Sequence, residues 1–236
     1  MLTYAIDPGP PIVLVCLQGY ILKDFFVTTE FEELKDRIGE GRVITCTKGR
    51  IARFTAPKDL LNEELKYYIE LSDTNIARFH KMAYSQEMVD VIATVQDNED
   101  VVNTLSLLQK IERSPDFVDV DLNALHKIFQ FSYPGRERYL LCDIKENVLN
   151  LAYDGYYGAY IPVKVSVQDE LKKRVAYFKN IKGIMVTGKV ERVLGLEEQT
   201  GISVEVMRPL RRIYPLNPDA VQKSNYLSTA LGLAIG

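Results

Sequence analysis

The chain has 236 residues, 47% of them hydrophobic and 26% charged, with a formal charge of −3 at pH 7. This excludes a disordered chain and a strongly basic nucleic-acid binder, and it provides core for one large domain or two lobes of about 100–150 residues. No apolar run approaches the ~18 residues of a spanning helix, no signal peptide is visible, and Cys16, Cys46 and Cys142 fall in apolar runs, as reduced, buried thiols do.

In chain order, residues 2–6, 12–17 and 20–27 are three strand-like runs joined by short turns. A helix follows, capped by Thr28 or Thr29, with Phe31, Leu34 and Ile38 on one face. Residues 42–47 and 50–55 read as a hairpin around Lys48 and Gly49. From Pro57 the pattern changes to a small inserted module: a helix marked by Leu61, Leu65, Tyr68 and Ile69, two strands within 79–95, and a helix capped near Asp97. Phe117 to Val120 returns as a strand, and Asp121 caps the next helix. After Tyr133, Pro134 and Gly135, strands at 139–144, 147–153 and 157–165 repeat the opening pattern. One helix then leads to a strand at 183–187, a second helix runs through Leu194, and a strand covers 202–206. A proline-bounded loop precedes a last helix over 219–235, rich in small residues including Gly232 and Gly236.

The repeat is the informative feature. Each half opens with a strand that carries an aspartate to a turn: Asp7 before Pro8-Gly9-Pro10-Pro11, and Asp143 before Ile144-Lys145-Glu146. Paired carboxylates at strand ends suit a hydrated Mg²⁺ or simple turn formation. They also suit a two-metal nuclease, against which the acidic balance stands.

Other patterns have plain structural readings. Gly183 to Val190 nearly matches a phosphate-binding loop, but its middle is a strand and Val190 has no hydroxyl. His80 and His126 lack partners at ligand spacing. Tyr153, Tyr156, Tyr157 and Tyr160 around Gly155 form an aromatic cluster, either a sheet face or an interface. Arg208, Arg211 and Arg212 form a basic loop, either solvated or facing an acidic partner or anionic lipid.

The order of five short motifs carries a resemblance. Ile6-Asp7-x-Gly9, the run from Val118 to Leu125, Leu141-Cys142-Asp143, Val186-Thr187-Gly188 and the run from Tyr226 to Ala234 resemble the actin-like PilM family of type IV pilus assembly, related to the cytoplasmic domain of the type II secretion protein GspL. The resemblance implies an α/β, actin-like fold of two ribonuclease-H-like lobes, 1–133 and 134–236, with a small α+β subdomain inserted at about 58–115; the chain departs from ATP-binding members in that one helix fills the gap between Val165 and Gly183, where they insert a second-lobe subdomain.

It also implies a cytoplasmic scaffold at the inner face of the inner membrane, peripheral to it through partners. Those partners would be a PilN-like membrane-protein tail or the secretion or pilus ATPase, with a homodimer allowed and no nucleic acid. The tail would lie between the first lobe and its insert, which points to Phe54, Leu65 and Tyr68. The alternative is an enzyme with Mg-ATP between the lobes, held by Asp7, Gly9, Asp143 and Gly188. Against it, Pro8, Pro10 and Pro11 offer no N–H to phosphate. Lys145 stands where the family pattern has glycine, and Glu146 adds negative charge. The expectation is a degenerate ATPase without a cofactor.

Overall fold

The first two strands are buried on both faces, which is why their sequences are almost continuously apolar. β1 (Thr3–Asp7) pairs antiparallel with β2 (Ile12–Gln18), and β2 with β3 (Ile21–Thr28). The computed structural model describes residues 1–83, 85–153, 157–164, 166–178 and 180–235. The expectations placed on Gly155, Tyr156, Val165, Gly236 and the side chain of Tyr157 lie outside the described residues.

The helix expected after β3 is a 3-10 segment, Phe31–Arg37, and Phe31, Leu34 and Ile38 are buried as predicted. Thr28 Oγ1 accepts the N–H of Glu30 and donates to Glu33 at 2.5 Å, but the cap position is Glu30, without a side-chain capping bond, rather than Thr28 or Thr29. β4 (Arg42–Thr47) then joins β1 in parallel.

The hairpin expected at 42–55 does not form. β5 (Gly49–Pro57) leaves the first sheet and pairs elsewhere, because the chain threads a gap at Gly49. A Cβ there would lie 2.7 Å from the Val95 carbonyl oxygen and 2.8 Å from Val120 Cγ2. The Gly49 N–H is donated instead to the Tyr160 hydroxyl at 2.7 Å.

The inserted module continues with α1 (Asn62–Leu65), a single short turn rather than a long amphipathic helix, then β6 (Asn75–Ala83), β7 (Met88–Asp97) and α2 (Asn98–Lys110). Asp97 caps α2 as read, accepting the Glu99 N–H at 2.9 Å. β8 (Phe117–Val120) returns to the edge of the first sheet, and α3 (Asp121–Ser132) follows.

The second half repeats the meander in β9 (Tyr139–Ile144), β10 (Val148–Tyr153) and β11 (Tyr157–Pro162). The helix α4 (Val167–Val175) separates it from β12 (Gly183–Gly188). Then come α5 (Leu196–Thr200), β13 (Val204–Val206) and β14 (Tyr214–Pro215). The last predicted helix is broken into α6 (Asp219–Gln222), a 3-10 turn and α7 (Ser228–Ala234). The break falls where Asn225 is drawn aside: its carbonyl accepts the Thr187 hydroxyl, and its amide donates to the Gly188 carbonyl at 2.6 Å.

The strands form two sheets, ordered β14-β3-β2-β1-β4-β8 and β13-β12-β9-β10-β11-β5-β7-β6. α3 packs on β5, β9 and β10, and α7 packs on β1, β2 and β4, so the two helices lie as a pair between the sheets. Their interior joins Leu122, Leu125, Ile128 and Phe129 to Ala230, Leu231 and Leu233.

β5, β7 and β6 extend the second sheet through the pairing of Ala52 with Tyr157. The C-terminal stretch counted with the second lobe returns to the first, adding β14 beside β3 and α7 beneath β1.

Candidate functional site

β1 and β9 deliver Asp7 and Asp143 to the interior between the sheets, 3% and 4% exposed. Lys145, in the turn after β9, joins them. Its N–H donates to the Val148 carbonyl at 3.0 Å, closing the turn, while its side chain runs inward. The ammonium lies 2.6 Å from Asp7 Oδ2 and 3.2 Å from Asp143 Oδ2. A cation therefore already sits between the two carboxylates, and a metal ion there requires Lys145 to be displaced.

The electrostatics favour this arrangement. Burial opposes the charge on Lys145, but Asp143 and then Asp7 outweigh it and hold the ammonium above the ordinary lysine range. Burial pushes the Asp143 carboxyl up; Lys145 draws it back and Asp7 adds to the rise.

The phosphate cradles expected of a nucleotide site are turned to other uses. In the first turn, Gly9 donates its N–H to Asp7 Oδ1 at 3.1 Å, beside three prolines that have none. A Cβ on Gly9 would stand 3.5 Å from Lys145 Nζ, so this turn closes over the ammonium. Gly188, at φ +76°, packs behind Asp143: a Cβ there would lie 2.3 Å from the Ile144 carbonyl oxygen. Its glycine is required by that approach. Glu146 pairs with Lys189, which lowers its carboxyl, so the expected repulsion at the turn is answered by a partner outside the site.

A third acid was missed as a site residue. Asp121 is not the cap of α3, a position held by Val120, but its first residue, and its side chain is buried. Its Oδ1 accepts the Leu122 N–H at 2.7 Å and the Tyr160 hydroxyl, and its Oδ2 accepts from Asn150 at 3.2 Å. Burial pushes its carboxyl up to about 8, against the Tyr160 hydrogen bond and with Asp7. The signal was in the sequence, since Asp121 begins the stripe continued by Ala124, Leu125 and Ile128 that must face the core. Tyr160, placed in the aromatic cluster by sequence, thus supports Asp121. Asp7, Asp121 and Lys145 line an inter-lobe cleft of about 330 Å³, at the small end for ligand pockets.

A second concave region lies between the inserted sheet and the first lobe. Arg78, Ile92 and Thr94 face Phe117 and Lys127 across a hollow of about 420 Å³. It adjoins another of about 530 Å³ that shares Arg78 and Phe117 and runs along Val101 and Leu105 of α2. Gln96 pins the two walls, donating to Thr47 at 2.5 Å and to the Asp119 carbonyl at 3.1 Å. β8 is the edge of the first sheet, and Gln96 takes up the Asp119 carbonyl on it.

Phe54, Leu65 and Tyr68 lie on the opposite face of that inserted sheet. Phe54 pairs with Val91, on the alternation opposite Ile92 and Thr94, and its ring stacks on Tyr68 at 5.3 Å. Leu65 is fully buried with Ala56, Val89 and Val91. These residues build the module's own core, and of the three only Tyr68 is exposed. The strand was correctly placed, but its facing was not readable without the pairing register.

The near-match to a phosphate loop is the buried strand β12, as read. Among the described residues no group of His, Cys, Asp and Glu is arranged to hold a metal ion. No helix among the described residues is long and apolar enough to cross a membrane.

No family model matches the sequence, and no curated protein matches it. Solved structures do. Over 99% of this chain and 97% of the other, the structure superposes on the PilM–PilN type IV pilus biogenesis complex with a TM-score of 0.78 at 16% identity. A Bacteroides thetaiotaomicron protein described as having an actin-like ATPase fold matches with a TM-score of 0.50 at 12% identity, over 95% of each chain. The chain has the actin-like fold. The cytoplasmic domain of EpsL, an inner-membrane component of the type II secretion system of Vibrio cholerae, is also similar, with a TM-score of 0.54 at 12% identity over 80% of this chain and 82% of that one. The repeated meander places Asp7 and Asp143 at corresponding strand ends. It does not by itself explain the lysine between them.

Proposed function

We propose that this actin-like chain is a cytoplasmic scaffold of a type IV pilus or type II secretion inner-membrane assembly platform, binding the cytoplasmic tail of a PilN-like membrane protein without hydrolysing ATP. The observation that carries the non-catalytic part is the Lys145 ammonium, 2.6 Å from Asp7 and 3.2 Å from Asp143. With it in place the carboxylates are neutralised internally, and Mg-ATP would have to break a buried, charge-assisted network to bind. Support for the scaffold role comes from the extent of the likeness to a PilM–PilN complex, over 99% of the chain. The groove between β7 and β8 supports a partner: it offers apolar pockets at Ile92 and Phe117.

The test is calorimetric titration of the tail of a PilN-like protein from the same genome into the full chain. Saturable one-to-one binding, weakened by Phe117→Ala and Ile92→Asp but not by Tyr68→Ala, is the expected result. Absence of binding, or binding indifferent to both groove substitutions, would remove the reading.

A further inference from the structure

On the flank away from the inserted strands, the two sheets end near each other, β13 closing one and β14 the other. Between them is a hollow of about 1140 Å³ lined by Tyr133, Arg136, Val206, Leu210, Arg211 and Val221, among others. Nothing in the proposed scaffold role uses it.

The two strand edges differ. β14 presents Pro215, which has no N–H, and the flanking N–H groups of Tyr214 and Leu216 are donated to Tyr20 and Leu22 of the neighbouring chain segment. Such an edge resists a further strand. On β13, Ser203 accepts from Ile184 at 2.8 Å and Met207 donates to Val186 at 2.8 Å, so the backbone groups of the alternate residues Val204 and Val206 face away from β12. Glu197 takes the Val204 N–H at 3.0 Å. Val206, 49% exposed, is the open edge position beside the hollow.

The lining is basic. Arg136 is held by Glu205 through bonds of 2.9 and 2.8 Å, and its guanidinium lies 5.1 Å from the Tyr133 ring. Arg211 lies 5.2 Å from the same ring. Among the described residues no carboxylate is ion-paired with Arg208 or Arg211, so two positive charges at the hollow are uncompensated. Aromatic stacking orients Arg211 in advance, which reduces what binding would lose in side-chain freedom. Leu210, half-buried, and Val221, 59% exposed, supply apolar surface between the charges.

We propose that this hollow receives an extended, acidic segment of a partner protein. Its backbone adds to β13 at Val206, its carboxylates pair with Arg208 and Arg211, and its aliphatic side chains rest on Leu210 and Val221. A recess beside a free strand edge fits a peptide; an anionic bilayer needs a protruding basic face, and this chain carries a net charge of −3.

The test uses the full chain and three probes: a labelled peptide of alternating glutamate and valine, its lysine–valine counterpart, and phosphatidylglycerol vesicles. Anisotropy and co-sedimentation should report binding of the glutamate peptide alone, falling with added salt. Arg208→Glu with Arg211→Glu, and separately Val206→Pro, should each weaken it by about tenfold or more at unchanged melting temperature. No binding at millimolar peptide, equal binding of the lysine peptide, retention in both variants, or binding to vesicles alone would each overturn the proposal. Because the groove at Phe117 lies elsewhere on the chain, loss of tail binding there leaves this result separate.

Discussion

Lys145 of the second lobe reaches Asp7 of the first at 2.6 Å, joining residues 138 positions apart in a buried ion pair that Asp143 completes. Removing only the cation leaves two carboxylates in the interior with no counter-charge. Lys145→Met should therefore destabilise the fold by about 3–5 kcal/mol. Two further outcomes identify the cause. Mg²⁺ should restore part of the loss by taking the ammonium's place. Combining Lys145→Met with Asp7→Asn and Asp143→Asn should recover most of it, since the whole charged group is then gone. Urea unfolding with and without Mg²⁺ measures all three; a single-variant loss under about 1 kcal/mol would contradict the pairing.

Asp121 sets a pH dependence of its own. In the folded chain its carboxyl titrates at about 8, raised by burial, whereas in the unfolded chain it titrates near 4. Below about pH 4 both states hold the proton, and above about pH 8 neither does. Between these values only the folded state holds it, so this group's contribution to stability falls as pH rises, by up to about 1.4 kcal/mol per unit. Asp121→Asn keeps the shape and removes the titration. The difference in unfolding free energy between variant and parent should shift steadily in the variant's favour from pH 4 towards pH 8, then level off. A difference that stays flat would show that Asp121 is ionised in the folded state.

Nucleotide gives a direct contrast. A ligand at a hundred times its dissociation constant stabilises a fold by roughly 2.7 kcal/mol. With Gly9 donating to Asp7 and the ammonium between the carboxylates, millimolar Mg-ATP should leave the melting temperature of the parent chain unchanged. A clear upward shift would favour the nucleotide-binding alternative and overturn the non-catalytic reading.

What could be read from the sequence was local. The opening meander and its repeat follow from doubly buried apolar runs, and the aspartates at the strand ends from the turns after them. The substitution at Lys145 was visible, but its direction was not: a lysine in a turn ordinarily points to water, and only the approach of Asp7 from a distant strand turns it inward. The hairpin at 42–55 failed for the same reason. Two adjacent strand-like runs predict each other as partners, whereas β4 is taken by β1 and β8, and β5 by β7. Facing needs the register, which sequence does not provide: Phe54 pairs with Val91, on the alternation opposite Ile92 and Thr94.

The small residues of the last helix allow one more test. α3 and α7 meet backbone to backbone at Gly232, where a Cβ would fall 1.9 Å from the Ala124 carbonyl oxygen and 2.6 Å from its carbon. Rotamer changes cannot relieve a clash with main chain, so Gly232→Ala must push the helices apart. Since α7 packs on β1 and α3 on β9, the displacement also opens the distance between the strands that carry Asp7 and Asp143. The expected cost is at least about 1–3 kcal/mol for overpacking, with a further loss from the strained ion pair. Urea unfolding of Gly232→Ala beside the parent chain measures this. If the two unfold at the same denaturant concentration, the close approach at Gly232 is not what holds the pair.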